Sequence, residues 1–204
     1  MSTTSSVPAD TSWKADDKWL LGVVIAVITF WLFAQTLLNV IPGIQSELGI
    51  ELTTANLAVS ITSLFSGLFI VIAGGLADRI GRVKILRIGI ILSILGSLLI
   101  ALTPENMGAF TSFMLLAGRV VQGLSAAAIM PSSMALLKDF YEGKDRQRAI
   151  SYWSIGSWGG SGLTALFGGF MATSPLGWRS IFWISAVQRG IPAGRRTIPI
   201  RRTR

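Results

Sequence analysis

The stretch that decides the fold is GGLADRIGRVK, residues 74–84, a short charged segment between two apolar runs. One run ends at Ala77 and the next begins at Ile85, with one acid, three bases and the helix-breaking Gly81 between them. In a soluble protein the same segment would be an ordinary turn between helices. Between two runs of membrane length, it predicts a charged hairpin held against one face of a bilayer.

The composition indicates a membrane protein. The chain has 204 residues, of which 51% are hydrophobic and 14% charged, and its mean hydropathy is +0.61. In soluble domains about a quarter of the residues are charged. Cys and His are both absent, so disulfides and thiolate metal sites are excluded, and the commonest general base and metal ligand is missing. We therefore expect neither an enzyme nor a metal site.

The net charge of +8 would by itself favour a nucleic-acid partner. Its distribution argues against one, because six of the 18 bases lie in residues 188–204. The rest of the chain holds 12 bases against 10 acids. The basicity belongs mainly to the last segment, and we expect no nucleic-acid binding.

Five apolar runs predict five full transmembrane helices and an all-α integral membrane fold. Each run has the length that roughly 30 Å of hydrocarbon requires, which is about 17–25 residues or more. A sixth run begins near Ser180 but is interrupted after Val187, so it is too short to cross a bilayer. The five full runs cover residues 19–42, 55–77, 85–102, 109–137 and 149–172, and the incomplete sixth covers 180–187.

The basic residues alternate from one connection to the next. The connections after the second and fourth runs carry four bases each, whereas those around Glu47 and around Glu105 carry none. Because cytoplasmic loops hold the excess of Lys and Arg, the basic connections and the N-terminus should be cytoplasmic. Residues 1–17 are polar and rich in Ser and Thr, which predicts a disordered cytoplasmic leader.

Residues 188–204 form an Arg-rich segment that starts abruptly inside the sixth apolar run. Because the change falls inside an element, we expect an interrupted reading frame or a truncated gene. The alternative is a natural basic tail, whose pairs Arg195–Arg196 and Arg201–Arg202 could adhere to anionic lipid.

The charged hairpin carries a family resemblance. Gly74-x-Leu76-Ala77-Asp78-Arg79-x-Gly81-Arg82 resembles the loop motif between the second and third helices of the major facilitator superfamily. The resemblance implies the N-terminal helical bundle of a major facilitator fold. It also implies a gate in which the Asp and Arg residues contact neighbouring helix ends as two bundles rock. The alternative is a stop-transfer turn that only fixes topology. The candidate gate residues are Gly74, Asp78, Arg79, Gly81 and Arg82.

Arg119 interrupts the fourth apolar run, and residues 115–127 resemble the fourth-helix motif of the same superfamily. The resemblance links this Arg to proton transfer or to the electrostatics of a central cavity. Charges inside a membrane are costly and usually functional. Gln122 lies three residues later and shares the same helix face. The alternative is an Arg that snorkels to the interface.

The fifth run is dense in glycine. Gly156, Gly160, Thr164 and Gly168 recur every four residues, which predicts a face for close helix packing, with Gly169 beside it. A mechanistic hinge is the alternative. Drug antiporters of the superfamily carry a Gly-Pro motif here, where this chain has Thr164 and Ala165. That departure weakens the resemblance to antiporters in particular.

Residues 33–42 resemble the first-helix signature of the fourteen-helix drug:proton antiporters, but Ala34 stands where that family has a membrane acid. Gln35 and Asn39 are one turn apart, so they could bind a substrate or act as packing glue. Trp153 offers an aromatic surface for lipophilic cations, although Trp is also common at membrane interfaces. We assign Gln35, Asn39, Trp153 and Ser157 to a substrate cavity.

Four stretches together resemble the quinolone efflux pumps of Gram-positive bacteria, namely residues 28–39, 56–82, 119–130 and 143–169. The resemblance extends over residues 18 to about 186. The resemblance implies part of a proton-coupled multidrug exporter in the bacterial plasma membrane. Its partners would be the lipid bilayer and lipophilic or cationic drugs, and it would use a proton gradient and no cofactor. It would need a missing C-terminal half to transport. The alternatives are a superfamily carrier of a metabolite and a non-transport membrane protein with a lipid-binding basic tail.

Overall fold

The computed structural model describes residues 37–173 and 177–190, and every regular element in them is an α-helix. This confirms the predicted all-α fold. The helices are α1 (Leu37–Leu48), α2 (Leu52–Ile80), α3 (Arg82–Ala101), α4 (Ala109–Phe140), α5 (Gly143–Thr173) and α6 (Arg179–Gly190).

Three of the described helices, α2, α3 and α4, are long and apolar enough to cross a membrane. Large apolar side chains of α2, such as Leu68 and Val71, lie on the surface, as helices in contact with hydrocarbon require. Helix α5 has 31 residues, but its many Gly and Ser residues make it less hydrophobic than the other three. The predicted first span lies mostly outside the described residues, as do the leader 1–17 and most of the segment 188–204.

Helices extend past the apolar runs wherever the flanking charges can remain in water. Helix α1 continues through Pro42 to Leu48, and α2 includes Asp78 and Arg79 before it ends at Ile80. Helix α6 reaches Gly190, three residues beyond the end of the sixth apolar run. The charged hairpin is therefore mostly helix rather than loop.

Gly81 alone separates α2 from α3, with φ 111° and ψ 129°. This backbone conformation is one that residues with a side chain rarely adopt. The Gly81 N–H donates to Ala77 O at 3.0 Å, and the Ile85 N–H donates to Gly81 O at 3.2 Å. One residue thus ends one helix and begins the next.

Helix α4 packs along both α2 and α3, α6 packs against α3, and α5 packs against α1 and α4. Small residues allow the close approaches. A Cβ placed on Gly96 would lie 3.0 Å from Gly118 O, and one on Gly123 would lie 2.6 Å from Thr62 O. Close backbone contact of this kind is how membrane helices gain packing energy. The sequence had assigned small-residue packing to α5 alone.

The bundle has two dissimilar ends. We call the end with the connections 49–51, 102–108 and 177–178 the acidic end, and the end with Gly81 and the connection 141–142 the basic end. At the acidic end, buried apolar residues of five helices form one cluster, which includes Val40, Ala58, Ile100, Leu115 and Phe182. Towards the basic end the buried apolar residues form three smaller clusters.

Candidate functional site

An arginine at the basic end joins three helices. Arg82 is the first residue of α3, and its Nε and one terminal nitrogen donate to Asp78 Oδ1 of α2, each at 3.0 Å. Its other terminal nitrogen donates to Asp139 Oδ1 of α4 and to Ala135 O at 3.3 Å. Arg82 therefore connects the ends of α2 and α4 through two carboxylates.

The sequence identified Asp78 and Arg82 but not Asp139. The only signal for Asp139 was its place just past the fourth apolar run, at the same membrane face as residues 74–84. The positive-inside pattern depends on the bases of a loop, so it does not single out this acid. Its pairing with Arg82 depends on how α3 and α4 meet, which no spacing in the sequence reports.

A cavity of about 540 Å³ opens beside this cluster. Its lining includes side chains of both charge signs as well as small or apolar residues. Helix α2 meets α4 here at Gly74, where an added Cβ would lie 3.6 Å from Pro131 Cβ, an ordinary contact distance, so this approach does not require a glycine. The lining residues are Gly74, Ala77, Asp78, Arg82, Pro131, Met134, Ala135, Lys138, Asp139 and Arg146.

The structure brings together three of the five predicted gate residues, Gly74, Asp78 and Arg82. Gly81 forms the turn between the helices. Arg79 is exposed on the last turn of α2 and does not line the cavity. Asp78 faces Arg82, and the Arg79 side chain points in a different direction, because successive residues of a helix are rotated by about 100°. The predicted charge contact of Arg79 is not present among the described residues.

Arg119 lies in the interior of the bundle, 2% exposed. Its Nε donates to Ala58 O of α2 at 2.8 Å, and a terminal nitrogen donates to Gln122 Oε1 at 2.6 Å. Thr62 Oγ1 donates to Arg119 O at 3.0 Å. The guanidinium is therefore bonded inside the protein, and the snorkelling alternative is wrong.

A polar seam continues from Arg119 into the α3–α4 interface. Gln122 Nε2 donates to Ser97 Oγ at 3.5 Å, and Ser125 Oγ donates to Gly89 O at 2.8 Å. Buried polar groups are costly unless they are hydrogen-bonded, and these are. The i, i+3 spacing predicted that Gln122 shares the helix face of Arg119, and the structure adds the hydrogen bond between them. The spacing could not reveal Thr62 or Ser97, which come from other helices.

The small-residue face of α5 is its buried face. Gly156, Gly160 and Gly168 are buried, and so is Thr164. Gly169 lies off this face and is exposed. A Cβ added to Gly169 would meet no atom within 4 Å, so packing does not require a glycine there.

Of the predicted substrate-cavity residues, Trp153 is the best described. Its Nε1 donates to Ser133 Oγ of α4 at 3.2 Å, and its ring packs with Leu137 and Ala149. Ser133 is about 14 residues beyond Arg119, or roughly 21 Å along the helix axis. Trp153 therefore contacts α4 well towards the basic end from Arg119, and its place in a substrate cavity stays a prediction.

The other three candidates for that cavity are less fully described. Ser157 is half-buried one turn beyond Trp153 on α5. Asn39 lies in α1, but its side chain is outside the described part. Gln35 and Ala34 lie outside the described residues altogether.

A sequence model of the Major Facilitator Superfamily matches residues 21–187. The chain belongs to the major facilitator superfamily. It is also 54% identical over 180 residues to the quinolone resistance protein NorB of Staphylococcus aureus strain JH9, and equally to that of strain Newman. Both alignments cover 88% of this chain and 37% of the relative.

These similarities confirm the resemblance to quinolone efflux pumps that the sequence motifs indicated. They also establish a multi-pass membrane protein, in agreement with the long apolar helices. The chain spans little more than a third of the length of the curated relatives it matches.

Proposed function

We propose that this chain supplies the first helical bundle of a proton-coupled multidrug efflux transporter that acts on quinolone-type compounds. The observation that carries the proposal is the buried Arg119 guanidinium, hydrogen-bonded to Ala58 and Gln122. A charge inside a membrane bundle is expensive and is retained for transport or for recognition of a charged ligand. The similarity to NorB supports the substrate class.

We propose that the basic end is cytoplasmic and forms the gate. The excess of Lys and Arg in its connections supports this orientation. The ion pairs of Arg82 with Asp78 and Asp139 are exposed, so they can break and re-form at a small free-energy cost. A charged cluster of this kind can alternate between partners within this bundle and partners in a second bundle.

In this proposal the substrates are lipophilic or cationic drugs, the energy source is the proton gradient, and no cofactor takes part. Arg119 and Gln122 contribute to the central cavity, and Gln35 and Asn39 contribute from α1. Because Ala34 replaces the membrane acid of the fourteen-helix antiporters, the proton would be carried by acids elsewhere in the complete transporter.

A carrier of a metabolite is the second candidate. It is favoured by two departures from the antiporter pattern, Ala34 in the first helix and Thr164–Ala165 in the fifth. Substrate competition separates the two candidates. Quinolones should inhibit uptake of a fluorescent drug into everted vesicles for an exporter of drugs, whereas a metabolite carrier would be insensitive to them.

The test expresses the full chain alone, and together with the part of S. aureus NorB that it does not cover, in cells lacking their own drug pumps. We expect quinolone accumulation to fall only when both parts are present, and to recover when a protonophore is added. Arg119→Gln is the matched inactive variant, since Gln keeps a donor but removes the charge. If both parts reach the membrane and accumulation is unchanged, the proposal is wrong.

A further inference from the structure

A second arginine-centred cluster lies at the acidic end, away from the motifs discussed above. Arg179 is the first residue of α6. Its Nε donates to Glu47 Oε1 of α1 at 2.8 Å, and one terminal nitrogen donates to Glu105 Oε1 of the α3–α4 connection at 3.1 Å. The other terminal nitrogen donates to Ala101 O, at the end of α3, at 2.9 Å. One guanidinium thus contacts three separate parts of the bundle.

The neighbouring Trp178 completes the contact with α1. Its Nε1 donates to Glu47 Oε2 at 2.7 Å, so both carboxylate oxygens of Glu47 accept hydrogen bonds from consecutive residues. The Trp178 ring is 3% exposed, lies 5.1 Å from the Arg179 guanidinium carbon and meets Phe182 edge-on at 5.9 Å. Charge-assisted bonds and a cation–π contact reinforce each other here.

The cluster sits directly on the large apolar cluster of the acidic end, to which Trp178, Ile181 and Phe182 belong. The α3–α4 connection is also held in place. The Asn106 N–H donates to Leu48 O at 3.3 Å, and Thr111 Oγ1 donates to Pro104 O at 3.0 Å. Glu105 therefore meets Arg179 from a connection that is itself hydrogen-bonded to α1 and α4.

Long side chains, rather than closely packed backbones, join α1 to α6 at this end. The close helix packing of α6 is with α3, and that of α1 is with α2 and α5. The contacts of Glu47 with Trp178 and Arg179, together with the apolar cluster that α1 and α6 share, therefore set the position of the end of α1 relative to α6. These contacts also neutralise Glu47 in a region where the first and third connections contain no base.

We propose that Arg179, assisted by Trp178, is a positioning residue that holds α1, the α3–α4 connection and α6 together as one block. Helix α1 carries Asn39, a candidate substrate contact, so Arg179 acts on the substrate through α1. This last step rests on the proposed function, whereas the block itself does not. Because Arg179 meets acceptors in three directions, it needs the planar fork of a guanidinium, and Lys cannot replace it.

The chain contains no Cys, so two introduced cysteines can carry spin labels without a background signal. Ser46→Cys on α1 and Ile184→Cys on α6 are suitable, since both positions are exposed. We expect one narrow distance distribution for the full chain in lipid nanodiscs. Arg179→Gln and Arg179→Lys should broaden it and lengthen the mean distance, and Glu47→Gln should do so less.

Lys84→Gln is the matched control, because Lys84 is an exposed cation at the basic end. It should leave the distribution unchanged. If Arg179→Gln does not fold, Arg179→Lys and Glu47→Gln still decide the matter. Unchanged distributions in the Arg179 and Glu47 variants, or equal broadening by Lys84→Gln, would overturn the inference.

The transport arm uses the two-part assembly described under Proposed function. Arg179→Lys should raise the KM for a quinolone several-fold while Vmax per inserted protein changes little, because a misplaced α1 weakens binding. An unchanged KM with a loss of inserted protein would indicate a merely structural role and overturn the assignment. Absence of efflux by the unmodified assembly contradicts only the proposed function, since the spin-label distances test the block independently.

Discussion

The two ends of the bundle use the same ion-pair chemistry in different surroundings. At the acidic end, Arg179 and Trp178 hold Glu47, which is 37% exposed, above one apolar cluster drawn from five helices. At the basic end, Arg82 holds Asp78 and Asp139, which are 63% and 51% exposed, beside an open cavity. An ion pair backed by a packed core resists separation, whereas one that borders water and a cavity can open.

This contrast assigns different mechanical roles to the two ends. We expect the acidic end to keep its internal arrangement through the transport cycle and the basic end to rearrange. The following four predictions test that difference, and they run from the largest expected effect to the smallest.

Removal of a core side chain at the acidic end should have the largest effect on stability. Phe182 is fully buried in the main apolar cluster, so Phe182→Ala should destabilise the bundle by about 3–5 kcal/mol. Thermal unfolding in detergent, followed by size-exclusion chromatography, measures the loss. Ile184→Ala, two residues later and 43% exposed, is the control and should change little. Equal losses for the two variants would show that the acidic end is not specially packed.

The second-largest effect on stability should come from disturbing the close approach of α2 and α4. A Cβ on Gly123 would lie 2.6 Å from Thr62 O and 2.9 Å from Phe65 Cβ, so Gly123→Ala should force the helices apart and cost about 1–3 kcal/mol. The same unfolding measurement applies. Gly75→Ala on α2 is the control, because its Cβ would meet no atom within 4 Å. A stable Gly123→Ala variant would contradict the close packing of α2 on α4.

Loss of an acid at the basic end should change geometry more than stability. Asp139→Asn removes one of the two carboxylates bound to Arg82, and an exposed pair contributes about 0–1 kcal/mol. We expect an almost unchanged unfolding temperature. Ile80 is the last residue of α2, and Glu142 lies in the connection just after α4; both are exposed. Spin labels at Ile80→Cys and Glu142→Cys should report a wider distance distribution between the ends of α2 and α4. A drop in unfolding temperature comparable to that of Phe182→Ala would mean that the basic end is as tightly held as the acidic end.

Added salt should have the smallest effect on the distance distributions, but it compares the two ends of the bundle most directly. Raising the ionic strength from about 0.1 M to about 1 M shortens the Debye length from roughly 10 Å to roughly 3 Å. The distance distribution at the basic end should broaden, because its ion pairs are exposed, while that between Ser46 and Ile184 at the acidic end should stay narrow. Broadening at both ends to the same degree would show that the apolar cluster does not protect the Arg179 contacts.

The sequence predicted the features that depend on neighbouring residues. Apolar length placed α2, α3 and α4 to within about three residues at most ends, and the charged hairpin gave the turn at Gly81. The i, i+3 spacing placed Arg119 and Gln122 on one helix face, where the structure shows them hydrogen-bonded. Charged residues at the helix ends were assigned to loops, because hydropathy falls at the first charge although the backbone remains helical.

The contacts between helices could not be predicted in this way. Asp139 pairs with Arg82 across 57 positions, and Arg179 reaches Glu47 across 132 positions. No local pattern specifies which helices are neighbours or how they rotate about their axes. The same limit applies to Trp153, whose hydrogen bond to Ser133 of α4 no spacing in the sequence reports.

The single-residue turn at Gly81 has a mechanical consequence. A long loop between two helices would absorb a displacement of one before the other moved. Gly81 provides no such slack, because the backbone is hydrogen-bonded on both sides of it, to Ala77 and from Ile85. A tilt of α2 is therefore passed to α3 within one residue, and a spacer of flexible residues inserted here would disconnect the two helices while leaving each of them intact.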